Sequence, residues 1–251
     1  MRKDPLHQLL LALGHDGPQI LSNDSSRYED AYRFYYLSME RFLTGMSIAA
    51  RYSRGPYWKR RSGGTSRFTM SDQRLAGQYR ATARFLELDL TNCLIHTRIL
   101  LDRTIALSRM FLAASGERPS FTSFKEHKKF FLRLSRPYDE DDEYATLIRN
   151  ETDWFEMPIK LARDRFIVHS APKHMRFLGY PNGGFELALS IMVPHEPDGE
   201  KVARMEVIRV NAIRMSLDIQ QFLDRFSQYG RSAIARGAQP ADAADAAARR
   251  G

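Results

Sequence analysis

The stretch SDQRLAGQYRATARFLELDLTNCLIHTRILLDRTIALSRMFLAA, residues 71–114, decides how the chain folds. Leu75, Tyr79, Thr82, Leu86, Leu90, Cys93, Thr97, Leu100, Thr104, Leu107 and Phe111 recur at steps of three and four. That is the period of one face of an α-helix. No proline interrupts the run, Ser71 is placed to cap it, and Gly116 stands where it would stop. A helix of about 43 residues would be about 65 Å long, which predicts a long antiparallel bundle.

Working outward, residues 28–52 repeat the pattern, with Ala31, Phe34, Leu37 or Ser38, Phe42, Gly45 and Ile48 as the expected core stripe. Asn23, Asp24 and Ser25 are set to cap that helix. A short amphipathic helix is expected over 120–134. A longer one is expected over 139–168, kinked or restarted by Pro158. The period changes at 176–193, where Phe185, Leu187, Leu189, Ile191 and Val193 alternate after Asn182-Gly183, the signature of a β-hairpin. A last helix is expected over 200–228, with Val202, Met205, Ile208, Ala212, Met215, Ile219, Phe222 and Phe226 on its buried face. The expected fold class is therefore all-α. It is an elongated antiparallel four-helix bundle with a small β-hairpin inserted before the last helix. Residues 1–27 read as an N-terminal segment and 28–229 as the helical domain. The Ala-, Arg- and Asp-rich residues 230–251 have little to bury and read as a disordered tail.

Composition agrees with a globular domain. The 251 residues are 43% hydrophobic and 27% charged, which excludes collagen, coiled-coil rods and wholly disordered chains. Cys93 is the single cysteine, so neither an internal disulfide nor a Cys-rich zinc site is available. No apolar run approaches the ~18 residues of a membrane span. The patch Leu9 to Leu13 is too short for a secretory signal. The expected location is the cytoplasm, with no membrane partner.

The net charge of +8 is unevenly spread. Over residues 51–136, 18 Lys and Arg stand against six acids, a surplus of 12 that leaves the rest of the chain at −4. The densest part is RYSRGPYWKRRSGGTSR, residues 51–67, without an acid and with Tyr52, Tyr57 and Trp58 interleaved. Gly55, Pro56, Gly63 and Gly64 forbid a regular helix there. Cations for phosphates and rings for unstacked bases suit single-stranded nucleic acid, with Arg54, Trp58, Arg60 and Arg61 as the contact residues. A solvated surface loop explains the same composition without a ligand. The opposite block Asp139-Glu140-Asp141-Asp142-Glu143 reads as acids favourably placed at a helix start, in preference to a metal site.

One further stretch carries chemistry: Arg163-Asp164-Arg165-Phe166-Ile167-Val168-His169. It resembles the signature of the HEPN superfamily, an Arg, a polar residue, a short spacer and a His near the end of a long helix in an all-α bundle. The resemblance covers about ten residues in detail. It implies a metal-independent endoribonuclease that works as a homodimer in a toxin–antitoxin or phage-defence setting. His169 would serve as general acid or base, Arg163 would hold the phosphate, and Asp164 would orient them. The 2′-hydroxyl would attack the adjacent phosphorus, leaving a 2′,3′-cyclic phosphate and a 5′-hydroxyl. Arg165 and His174 would contact the substrate. No cofactor and no metal is implied. Partners would be RNA, a second copy, and an antitoxin or other acidic protein. On a continuous helix Arg163 and His169 stand about 120° apart around the axis and ~9 Å along it. Arg165 shares the face of His169, so the helix must end near Val168, or two copies must complete the site. The same fold also serves as an inactive RNA- or nucleotide-binding module or an interaction scaffold, and a helix C-terminus stabilised by His169 accounts for the same residues structurally.

If the 51–67 segment guides RNA, replacing Arg54, Arg60 and Arg61 by Ala together weakens single-stranded RNA binding and flattens its salt dependence. Unchanged affinity across a salt titration would return the segment to a solvated loop.

Overall fold

The computed structural model describes residues 4–14, 20–53, 58–60, 68–70, 73–108, 111–112, 123–131, 142–155, 159–160, 173–179, 185–195 and 202–237. Helices predominate, as expected. In chain order the described elements are α1 (His7–Gly14), α2 (Ile20–Ser53), β1 (Trp58–Arg60), β2 (Phe68–Met70), α3 (Gln73–Ser108), α4 (Phe124–Phe131), α5 (Asp142–Asn150), β3 (Lys173–Gly179), β4 (Phe185–His195), β5 (Val202–Val210) and α6 (Ala212–Gly237). None of the described helices is long and apolar enough to cross a membrane. The chain divides into two compact units. Residues 1–32, 99–153 and 218–251 form the first, and 33–98 and 154–217 the second.

In the first unit the N-terminal segment folds as a buried helix. Asp4 starts α1: its Oδ1 accepts from the Leu6 N–H (2.9 Å) and from the Tyr28 hydroxyl (2.8 Å). Leu6, Leu9, Leu10 and Leu13 then face the core. Tyr28 is buried, so α2 reaches back to Ile20, and Asn23, Asp24 and Ser25 lie within the helix instead of capping it. At the other end of the chain α6 runs through Gly230 to Gly237, eight residues into the expected tail. Gly230 allows this. A Cβ there would stand 2.9 Å from Leu9 Cδ1 and 3.0 Å from Phe111 Cε1.

The periodic run within residues 71–114 forms α3. Leu86, Leu90, Cys93, Thr97, Leu100, Thr104 and Leu107 are all buried, as their spacing predicts. The described helix runs to Ser108, and Phe111 and Leu112 are no longer helical, short of the expected end at 114. Ser108 Oγ donates to the Ile105 carbonyl (2.7 Å), and the Ser108 carbonyl accepts from the Phe111 and Leu112 N–H groups. α4 begins under two caps, and residues 120–122 and 132–134 of the expected helix lie outside the described residues. Asp102 Oδ1 accepts from the Phe124 N–H (2.7 Å), and Ser123 Oγ accepts from the Glu126 N–H (3.3 Å).

The helix expected over 139–168 is interrupted in its described part, and residues 139–141, 156–158 and 161–168 lie outside the described residues. It starts at the end of the acidic block, but α5 stops at Asn150, and Asp153–Phe155 forms a 3₁₀ turn. Thr152 causes the break. Its hydroxyl donates to the Ile148 carbonyl, and its own carbonyl accepts from Lys128 Nζ (2.7 Å). A continuing helix needs that carbonyl for the next turn.

In the second unit α2 and α3 pair antiparallel. Phe34 stacks on His96 with ring centroids 5.6 Å apart, Met39 Sδ meets Cys93 Sγ at 3.8 Å, and Arg41 Nε bonds Asp89 Oδ1 at 2.7 Å. A Cβ on Gly45 would stand 2.8 Å from Leu86 Cδ2, so glycine permits the close approach. The expected stripe on α2 is wrong in part. Tyr35, Met39, Phe42 and Met46 are buried, whereas Phe34, Leu37 and Ile48 are exposed. The helix carries two apolar stripes, and packing uses the other one.

The hairpin expected over 176–193 is present as β3 and β4, paired from Lys173↔Ile191 to Gly179↔Phe185. It is two-thirds of a larger sheet of order β3-β4-β5. β5 overturns the first part of the helix expected over 200–228. It pairs antiparallel with β4 from Leu187↔Val210 to His195↔Val202. Only then does α6 begin, with Asn211 as its cap. Asn211 Oδ1 accepts from the Arg214 N–H (2.9 Å).

Gly230 in the first unit and Gly77 in the second respond oppositely to an added methyl. Gly230→Ala pushes against Leu9 and Phe111 and costs about 1–2 kcal/mol despite better helix propensity. Gly77→Ala, in α3 with nothing within 4 Å of the new Cβ, stabilises by about 0.5–1 kcal/mol. Urea unfolding of the two variants reads both signs.

Candidate functional site

Arg163, Asp164, Arg165 and His169 lie outside the described residues, as do Arg54 and Arg61. Trp58 and Arg60 are the two ends of β1. They pair in register with Met70 and Phe68 of β2, with Lys59 opposite Thr69. The basic–aromatic segment, expected to be a loop, therefore includes a short antiparallel ribbon. A three-residue strand leaves no hydrophobic alternation for the sequence to reveal. His174 is the second residue of β3 and pairs with Ser190 of β4. The described residues thus bring Trp58 and Arg60 together on one strand and place His174 in the other sheet.

Two polar features of the first unit were missed by the sequence reading. One is a groove of about 310 Å³ lined by Glu143, Asn150 and Glu151 on one side and Arg225, Gln228 and Tyr229 on the other. Glu151 accepts from Gln221 Nε2 (2.7 Å) and pairs with Arg225 Nε (3.0 Å). Glu143 pairs with Arg236 at 3.4 Å, and the Arg236 guanidinium lies 5.8 Å from the Tyr229 ring centroid. Both carboxylates are balanced by a guanidinium, so the groove clamps α5 to α6. The i, i+7 and i, i+8 spacing of Glu143, Asn150 and Glu151 was the available signal, hidden by reading the acidic block as a helix start alone.

The other is a buried polar cluster. His127 Nε2 and the Tyr144 hydroxyl are hydrogen-bonded at 2.7 Å with both residues fully buried. Burial drives the His127 pKa down to about 3, so the ring is neutral at physiological pH. General acid–base catalysis near neutrality needs a pKa close to the working pH and access to substrate. His127 has neither and is a core residue. His96 is half-buried, and burial lowers its pKa too. Burial raises the Cys93 thiol far above the thiolate range, which removes it as a nucleophile. Among the described residues, no three His, Cys, Asp or Glu side chains converge as a metal site requires.

No family model, curated protein or solved structure matches this chain.

The neutral His127 makes stability pH-dependent. The unfolded chain takes up a proton near its ordinary value of 6.5, whereas the folded chain resists it until about pH 3. Stability therefore falls as pH drops through that window. His96, also lowered, adds the same sign. Asp4, Asp89 and Asp224, raised by burial from 3.8, act oppositely but only near the carboxylate range. The urea midpoint is expected to fall between pH 7 and pH 5, and His127→Gln to flatten that slope. Parallel slopes for the two proteins would assign the pH dependence to other groups.

Proposed function

We propose that this chain is an RNA-cleaving protein of HEPN type, built on an elongated four-helix bundle and working in the cytoplasm as a pair of copies. The observation that carries the reading is the Arg163-Asp164-Arg165-Phe166-Ile167-Val168-His169 motif, in the segment following α5. Two further observations support it. α2 and α3 form the kind of long antiparallel helix pair that such a bundle contains. The β1–β2 ribbon carries Trp58, Lys59 and Arg60 within the most basic part of the sequence, a composition suited to single-stranded RNA.

In this reading Arg163 binds the scissile phosphate through its fixed fork of N–H donors and offsets the charge that builds up in the transition state. His169 accepts the proton of the attacking 2′-hydroxyl or supplies one to the departing 5′-oxygen. Asp164 holds the pair in place. Arg165 and His174 contact the substrate, and Arg54, Trp58, Arg60 and Arg61 guide the strand. A role in growth arrest or phage defence, with an acidic antitoxin as counterpart, follows from the same resemblance.

The test incubates the purified chain and its His169→Ala variant with single-stranded RNA in EDTA. Cleavage to 2′,3′-cyclic phosphate ends is expected from the first, and a loss of about 100-fold or more from the second. Equal cleavage by both, or cleavage only with added metal, would sink the assignment. Salt-sensitive binding without cleavage would instead favour an RNA-binding module.

A further inference from the structure

The groove between α5 and α6 in the first unit has two unlike ends. At one end the Glu151 carboxylate is 14% exposed and held on both oxygens, by Arg225 Nε at 3.0 Å and by Gln221 Nε2 at 2.7 Å. The other end lies about two turns earlier on α5, ~12 Å along the helix. There Glu143 pairs with Arg236 at 3.4 Å, and the two side chains are 71% and 61% exposed. Ion pairs so long and so open are weak. The Arg236 guanidinium also lies 5.8 Å from the Tyr229 ring centroid, within cation–π range. Glu143 and Tyr229 both line the groove. A carboxylate beside an aromatic face is a cation subsite, and the chain's own Arg236, one residue from the end of α6, stands at it.

We infer that this groove binds a small zwitterion with a guanidinium at one end and a carboxylate at the other, the chemistry of free arginine, and that Arg236 is a built-in competitor for the cation end. Three arguments select that ligand. The first is the subsite itself, which already holds a guanidinium. The second is the order of charges. A guanidinium has five N–H donors, so Arg225 can serve a second carboxylate beside Glu151. Arg225 is 58% exposed and lines the groove together with the side-chain amides of Asn150 and Gln228. The third is size. The groove encloses about 310 Å³, the lower end of the range for small-molecule sites and the scale of one amino acid. A phosphate polyanion fits none of this, because Glu143 and Glu151 both face it. When the ligand's cation takes the place of Arg236, only a weak surface pair is lost.

The inference is independent of the RNA reading: no lining residue belongs to the Arg163–His169 motif, and the readout is binding, not cleavage. The test titrates the full chain calorimetrically with L-arginine, with agmatine, which keeps the guanidinium but lacks the carboxylate, and with inorganic phosphate. Arginine is expected to bind with a Kd on the order of 0.1–1 mM, as suits a ligand of its size. Arg236→Gln is expected to tighten that binding about three- to tenfold, and Glu143→Gln to weaken it at least about tenfold. Both variants break the same ion pair, so a groove that only joins two helices responds to them alike. Shifts in the same direction would therefore overturn the inference. Both residues are exposed, and circular dichroism checks the helices. Should either variant lose its fold, Gln228→Ala, also exposed, is expected to weaken arginine binding in its place. Agmatine is expected to bind more weakly than arginine to the native chain and equally to Arg225→Gln. Agmatine binding as tight as that of arginine to the native chain, phosphate binding that arginine displaces, or no arginine binding up to about 10 mM each sinks the assignment.

Discussion

The hydrogen bond between the Tyr144 hydroxyl and His127 Nε2, 2.7 Å long and wholly buried, is the constraint on which the first unit depends. Each partner left alone would cost about 1–3 kcal/mol in desolvation, so α4 and α5 are held to one register. Aromatic rings close around it. Phe111 meets Tyr144, Phe226 and Tyr229 edge-on, and Phe124 meets Phe222 in the same way. Rings in that geometry add to their burial energy and tolerate little sliding. One residue along, Lys128 reaches the carbonyl of Thr152, so the segment that fixes α4 also decides where α5 ends. A long helix is thereby cut short by a contact from a residue 24 positions earlier.

Glycine sets the second constraint. At Gly230 and Gly45 the missing side chain is where Leu9, Phe111 and Leu86 press against a helix. The contacts at Gly230 explain why α6 continues into residues of low hydrophobicity. An Ala- and Arg-rich stretch has helix propensity but little to bury. It gains order from Tyr229 and Gly230, which anchor it, and from Arg236, which pairs with Glu143 and covers Tyr229.

What was legible in the sequence follows from whether the deciding interaction was local. The stripe from Leu86 to Leu107 belongs to one helix with one buried face, and spacing alone recovers it. Val202, Met205 and Ile208 fit a helical step of three, so residues 200–210 read as helix. The competing signals were the Pro197-Asp198-Gly199 turn chemistry just before and the β-branched Val202, Val207, Ile208 and Val210. Pairing with β4 settles the matter. On α2 two apolar stripes are present, and the sequence contains nothing that says which one α3 covers. The end of α5 was illegible because Lys128 enforces it from outside the segment. Of the candidate site, the Arg163–His169 spacing and the basic content of 51–67 are properties of the sequence itself. The β1–β2 ribbon, like the clamp between Glu151 and Arg225, exists only once distant residues meet.

The histidines show how one side chain is assigned opposite work by its surroundings. His127 is driven to about 3 by full burial, so it serves as a fixed dipole inside an aromatic core and cannot exchange protons with a substrate. A histidine that moves protons near pH 7 needs water or substrate within reach and a charge nearby that does not titrate, which is what Arg163 would supply to His169. Burial of the kind that surrounds His127 and chemistry of the kind proposed for His169 therefore exclude each other.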